Sequence, residues 1–130
     1  MIVALHVATG AAGGALVRSR RAAVALGLLL HVAGDLMPHE DNPSLRFEEV
    51  SGVAGVLFLA ATRGVADAAV VGALAGSAPD LEHVYRLPRP GGRKLFPSHR
   101  FHGWHRRGGM RVWAQTAAAG LILGALARRY

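Results

Sequence analysis

Seven histidines and no cysteine stand in a chain of 130 residues. Disulfides, thiolate zinc sites and cysteine nucleophiles are therefore excluded, and any metal must be held by imidazole and carboxylate. Four groups of residues could do that chemistry. The first is His31-x-x-x-Asp35. A spacing of four puts both side chains on one face of a helix. Gly27, His31, Gly34, Asp35 and Pro38 form the polar or small stripe of a run otherwise made of Leu, Ala and Val. A matching stripe, His6, Gly10, Gly13, Gly14 and Val17, would let two helices approach and bring His6 to His31 or Asp35. The plainer alternative for this pair is a His–Asp hydrogen bond that only stabilises the fold.

The second group is Pro38-His39-Glu40-Asp41. His39 continues the spacing by another four, while Glu40 and Asp41 read as a solvated helix end. The third is Pro79-Asp80-Leu81-Glu82-His83, in which Asp80 and His83 share a face at i and i+3. Ser77-x-x-Asp80 also has the form of a capping box. The fourth runs from Pro97 to His105 and carries His99, His102 and His105. On a helix these three would spread over about 120°, so at most two could enter one site. His99 is the expected ligand of the three. The competing reading of this segment is a basic interfacial loop with Phe101 and Trp104 among headgroups.

The expected metal ligands are thus His6, His31, Asp35, His39, Asp80, His83 and His99. Imidazole with carboxylate suits zinc, or manganese or iron, better than magnesium or calcium. More ligands than one ion needs point to two or more ions, the arrangement that clamps a phosphoryl group. Eight of the 15 basic residues lie between Arg86 and Arg111. Arginine forks bind phosphate, and Arg100 or a neighbour is the expected anchor, with Glu82 or Glu40 taking a proton. Gly91-Gly92-Arg93-Lys94 lacks the ending of a phosphate loop, and no nucleophile-elbow motif is present.

Five apolar runs must position these groups, over about 2–17, 22–38, 50–62, 65–78 and 112–127. Their Ala- and Leu-rich composition without alternation predicts helices. Arg18 to Arg21, Pro38 to Pro43, Arg63-Gly64 and Pro79 separate them, and a short helix is expected over 78–86. A long His- and Arg-rich loop follows Leu87. Short connections force neighbours to run antiparallel, which places all seven histidines at one end of a single helical domain, 1–130. Small residues recur at four-residue spacing in Gly10 and Gly14, Gly72 and Gly76, and Gly120 and Gly124. Such pairs permit close helix contact in lipid, so the expected fold is an all-α antiparallel bundle of about five helices embedded in a membrane. No basic segment precedes residue 2, so the first run is not read as a cleaved signal peptide.

Taken together, His6 in an Ala/Gly-rich first helix, His31-x-x-x-Asp35-x-x-Pro38-His39, Pro79-Asp80-x-Glu82-His83 and Ser98-His99-Arg100 resemble the small membrane-bound, metal-dependent hydrolases. These are inner-membrane proteins distantly similar to zinc-dependent phospholipase C. Glu82 stands where that family's motif has Asp. The family's His-Arg-Gly-x-Thr-His element is matched only by His99-Arg100, which leaves His102 and His105 outside the resemblance. The resemblance implies a metal site and phosphoester hydrolysis.

The expected function is metal-dependent hydrolysis of a phosphoester, a lipid or isoprenoid phosphate, at a membrane surface. Membrane lipids are then the partners, with homo-oligomers left open. Nine positive charges at the histidine end against six at the other place the site on the cytoplasmic side of an inner or plasma membrane. One alternative is a non-catalytic membrane protein with a structural His/Asp or metal cluster. Another is a basic-loop module for nucleic acid or anionic lipid, which explains the arginines but not the acids in the helices.

Overall fold

The computed structural model describes residues 1–127. Its helices are α1 (Val3–Val17), α2 (Arg20–Leu36), α3 (Leu45–Arg63), α4 (Ala68–Ser77), α5 (Leu81–Val84), α6 (Pro97–Arg100) and α7 (Val112–Ala127). Helix α1 is the central element. Ala4, Leu5, Val7, Ala8 and Ala11 are all buried in it, and α2, α3, α4 and α7 pack around it. A helix enclosed on every side needs no polar face, which is why this run is apolar all round. Val7 and Ala11 meet Leu59 of α3 and Ala69, Val70 and Ala73 of α4 in one cluster. Ile2, Leu5 and Ala8 meet Ala119 of α7 in another.

Glycine sets the tightest approach. Gly10 and Gly14 of α1 lie against the backbone of α4, where an added Cβ would meet the Gly72 and Ala68 carbonyls. Gly27 of α2 reaches the same ridge, and its added Cβ would sit 2.7 Å from the Gly72 oxygen. The Gly10/Gly14 stripe therefore packs on α4, whereas only Gly13 faces α2, through Leu26 and Leu30. A Cβ added at Gly120 or Gly124 would meet nothing within 4 Å among the described residues outside its own helix turn.

This packing corrects the expected location. No described helix is long and apolar enough to cross a membrane. Helix α4 has 10 residues, about 15 Å of rise, against a bilayer core of about 30 Å. Helix α3, the longest, carries Arg46, Glu48 and Glu49 in its first turns. The membrane-embedded bundle, the transmembrane assignment and the inner-membrane location with a cytoplasmic-side site are overturned together. The glycine pairs of α1 and α4 serve contact between helices of this chain.

Two boundaries also differ from expectation. Helix α3 starts at Leu45, five residues early, because Ser44 caps it by accepting from the Phe47 amide at 3.2 Å. Ser77 does not cap the next helix. Its hydroxyl donates back to the Ala73 carbonyl at 2.9 Å, and the chain passes through a tight turn, Ala78–Asp80, directly into α5. Asp80 is thereby left without a capping task.

The return of the chain is held by backbone pairing. The His39 amide donates to the Arg106 carbonyl at 3.2 Å, Glu40 to Met110 at 3.0 Å, Met110 to Pro38 at 3.0 Å and Arg106 to Asp35 at 3.0 Å. Gly109 adopts φ 101° against the Pro38 backbone, a conformation and a space closed to other residues. Gln115, fully buried in α7, accepts from the Ile2 amide at 2.9 Å and donates to the Glu40 and Met110 carbonyls. With Glu48, which accepts from the Val3 amide at 2.7 Å, it satisfies free amides at the start of α1.

Candidate metal centre

Asp35, one turn beyond His31 near the end of α2, is the hub. Its side chain is 1% exposed. Oδ2 lies 2.6 Å from the donating Ser98 hydroxyl, 3.1 Å from His31 Nε2 and 3.3 Å from His99 Nε2. Oδ1 lies 3.2 Å from His6 Nε2 and 3.6 Å from His105 Nδ1, with the Met1 amino nitrogen at 3.2 Å. Burial alone would push this carboxyl up, but hydrogen bonding, from His105 first and also from His6, holds it far below the usual carboxylate range.

Three histidines are fixed by oxygen acceptors at Nδ1. His31 Nδ1 lies 2.7 Å from the Gly76 carbonyl, which the glycine contacts between α2 and α4 bring within reach. His39 Nδ1 lies 2.6 Å from the Met37 carbonyl, and His99 Nδ1 lies 2.6 Å from Glu82 Oε1. A carbonyl or carboxylate only accepts, so each Nδ1 donates and a neutral ring presents its Nε2 lone pair. The lone pair of His39 accepts from the Met1 amino group, whereas those of His31 and His99 face other acceptors. His31 Nε2 and His99 Nε2 are 3.3 Å apart, and both approach carboxylate oxygens of Asp35. His39 Nε2 is 3.2 Å from His105 Nε2. Imidazole held by an outer oxygen and directed inward is the usual arrangement around a bound metal.

Ligand atoms converge in four overlapping sets, each within 4.8 Å: His6–His31–Asp80, His31–Asp35–His99, Asp35–His39–His105 and Asp80–His83–His99. All seven expected metal ligands fall in these sets. His31, Asp35, Asp80 and His83 do not form one set of four; His99 instead joins the two pairs. Asp80 lies 3.7 Å from His99 Nε2 and 4.0 Å from His31 Nε2. Burial raises its carboxyl to about 6, and its Oδ2 is buried with no hydrogen-bond partner among the described residues. Burial also lowers His6 to about 3 and His83 to about 4, so both rings stay neutral. His6 stacks on His31 with ring centres 3.9 Å apart.

Asp80, His83, His99 and His105 line a cavity of about 1060 Å³. His6, His31 and Asp35 lie behind them. Lys94, Arg100, Arg106 and Arg107 also line the cavity. Arg100 is exposed, its guanidinium 5.9 Å from the Phe101 ring centre. His102 lines the cavity but belongs to none of the four sets. Glu82, expected to take a proton, is buried instead. Its oxygens accept from the Leu95 amide at 2.7 Å and the Phe96 amide at 3.3 Å besides holding His99. Both oxygens are engaged, so its work is done through His99 and the backbone.

Sequence spacing left three members outside the expected ligand set. His105 and Asp41 meet at 2.9 Å and flank His39. They arrive through the pairing of 38–40 with 106–110, which leaves no periodic trace. Ser98 was visible only as the neighbour of His99.

No protein-family model, curated protein or solved structure matches this chain.

Proposed function

We propose that this chain holds two or more divalent metal ions, zinc first among them, and uses them to hydrolyse a phosphoester in the cavity beside them. The observation that carries the reading is the excess of inward-facing acceptors. Nε2 lone pairs of His31 and His99 point at each other and at Asp35, while Asp80 Oδ2 has no donor among the described residues. A cation is what such a set lacks. Imidazole with carboxylate is the donor set of zinc, manganese or iron. Ions held there would polarise a phosphoryl oxygen and acidify a water. The chain's own contribution is to fix His31, His39 and His99 through Nδ1, to keep Asp35 ionised, and to line the cavity wall with guanidinium groups. Arg100, Arg106 and Arg107 would orient the phosphoryl group.

Elemental analysis of the purified protein tests the metal. Release of nitrophenol from mono- and bis-nitrophenyl phosphate, before and after chelation, tests the reaction. Stoichiometric zinc without turnover of either ester would reduce the reading to a structural centre, and absence of metal would remove both.

A further inference from the structure

Lys94 is the only lysine in the chain, and its ammonium has a side-chain partner. It is half-buried, lines the cavity, and its Nζ lies 3.0 Å from His83 Nδ1. An ammonium has three donors and no acceptor, so His83 Nδ1 is the acceptor here and the neutral ring carries its proton on Nε2. His83 is also one of the ligand atoms converging with Asp80 and His99, whose ring centre is 4.2 Å away.

These two roles exclude each other. A metal ion on His83 needs a nitrogen lone pair. If it takes Nδ1, it takes the lone pair that Lys94 uses. If it takes Nε2, the ring proton passes through solvent to Nδ1, and an N–H then faces the ammonium. Either way the Lys94–His83 hydrogen bond is lost. The freed ammonium lines the cavity that Arg100, Arg106 and Arg107 also line. Of the acids that act on it, Glu82 already has both oxygens engaged by Leu95, Phe96 and His99, and Asp80 belongs to the same ligand set as His83.

We propose that Lys94 is an anion-binding residue sequestered by His83 and released when a metal ion takes that histidine, so that metal and phosphate oxyanion bind this cavity cooperatively. The inference rests on the metal reading above and adds the order of events. Metal comes first, and the cavity gains its lysine as a result. Linkage makes the effect reciprocal, since phosphate must then tighten metal binding by the same factor.

A single lysine makes the test direct. Full-length protein labelled at the lysine side chain gives one ammonium-bearing methylene signal to follow by NMR. It should shift as zinc binds and again when inorganic phosphate is added. By calorimetry, Lys94→Met should weaken phosphate binding about tenfold in zinc-loaded protein freed of excess metal, the size of one charge-assisted hydrogen bond. The same substitution should change phosphate binding less than about twofold in metal-free protein, where the His83 hydrogen bond holds the ammonium at that ring. Equal effects in the two states, or a lysine signal indifferent to zinc while zinc binds, would overturn the proposal and leave the metal centre standing. A wild-type protein that takes up no zinc would defeat the metal reading itself, and this inference with it.

Discussion

Glu82 Oε1 lies 2.6 Å from His99 Nδ1, and the same buried carboxylate holds the Leu95 and Phe96 amides. One side chain on a four-residue helix thus fixes both the ring that joins two of the ligand sets and the end of the segment leading to it. The excursion from Tyr85 to Leu95 carries Arg86, Arg89, Arg93 and Lys94, and Glu82 closes it.

Glu82→Gln keeps the size of the side chain but removes the charge, and it adds a donor beside the two amides. Outer partners of metal-bound histidine are worth about 10- to 100-fold in metal affinity. Zinc affinity measured by competition with a chromogenic chelator should fall within that range. Affinity equal to wild type would show that His99 does not depend on Glu82 for its orientation.

Chelated protein should lose stability as acid is added, and His6 supplies one identifiable part. Its folded-state value, about 3, lies below the ordinary 6.5 because burial opposes the charge. Between those limits the unfolded chain binds the proton and the folded chain does not, so folding weakens as pH falls below 6.5. At about 1.4 kcal/mol per unit, His6 contributes a loss of roughly 2 kcal/mol between pH 7 and pH 5. Urea unfolding at the two pH values should show that difference, and His6→Gln should shrink it.

How far the site was legible in the sequence depends on what positions each residue. His31 and Asp35 sit on one helix, and Asp80 and His83 lie three residues apart where the turn Ala78–Asp80 runs into α5, so spacing alone placed each pair together. Their convergence needed only antiparallel neighbours. His105, Asp41 and Gln115 owe their places to backbone pairing between 38–40 and 106–110, which is a long-range event without local periodicity. The membrane expectation failed for a different reason. A short helix buried on all sides by its own chain and a helix buried in lipid share the same composition, and α1 is the former. The Gly10/Gly14 and Gly72/Gly76 pairs do mark close contacts, but they face each other.

That contact predicts a sharp contrast among glycines. An added Cβ at Gly76 would stand 2.7 Å from the His6 carbonyl, and at Gly72 it would run into the Gly10 carbonyl. Backbone cannot step aside as a flexible side chain can, so Gly72→Ala and Gly76→Ala should each cost about 1–3 kcal/mol or more. Gly124→Ala meets nothing within 4 Å among the described residues outside its own helix turn and sits within α7, where alanine should gain up to about 1 kcal/mol. Thermal unfolding of the three variants checks the order. Gly76→Ala should also weaken zinc binding, because the Gly76 carbonyl holds His31 Nδ1.

Asp80 should show a trade between stability and metal. Burial raises its carboxyl from 3.8 to about 6 in the metal-free protein. The sign is opposite to that of an ion-paired acid: the folded chain binds the proton more tightly than the unfolded one, so the ionised group costs stability above pH 6 and the cost disappears as pH falls below it. The shift of about two units corresponds to roughly 2–3 kcal/mol at pH 7. Asp80→Asn should therefore stabilise chelated protein at pH 7 by up to that amount. The same substitution should weaken zinc binding, because a neutral amide replaces a carboxylate in two of the four ligand sets. In wild type, zinc affinity should drop as pH falls through about 6, where the metal must displace the Asp80 proton. His83 and His6, held near 4 and 3, titrate below that window. His105, raised above its ordinary value by Asp35 and Asp41, adds a slope at higher pH that Asp80→Asn leaves in place. Zinc affinity of both proteins between pH 5 and pH 8 separates the two slopes. A variant that binds zinc as tightly as wild type, with an unchanged pH profile, would remove Asp80 from the metal centre.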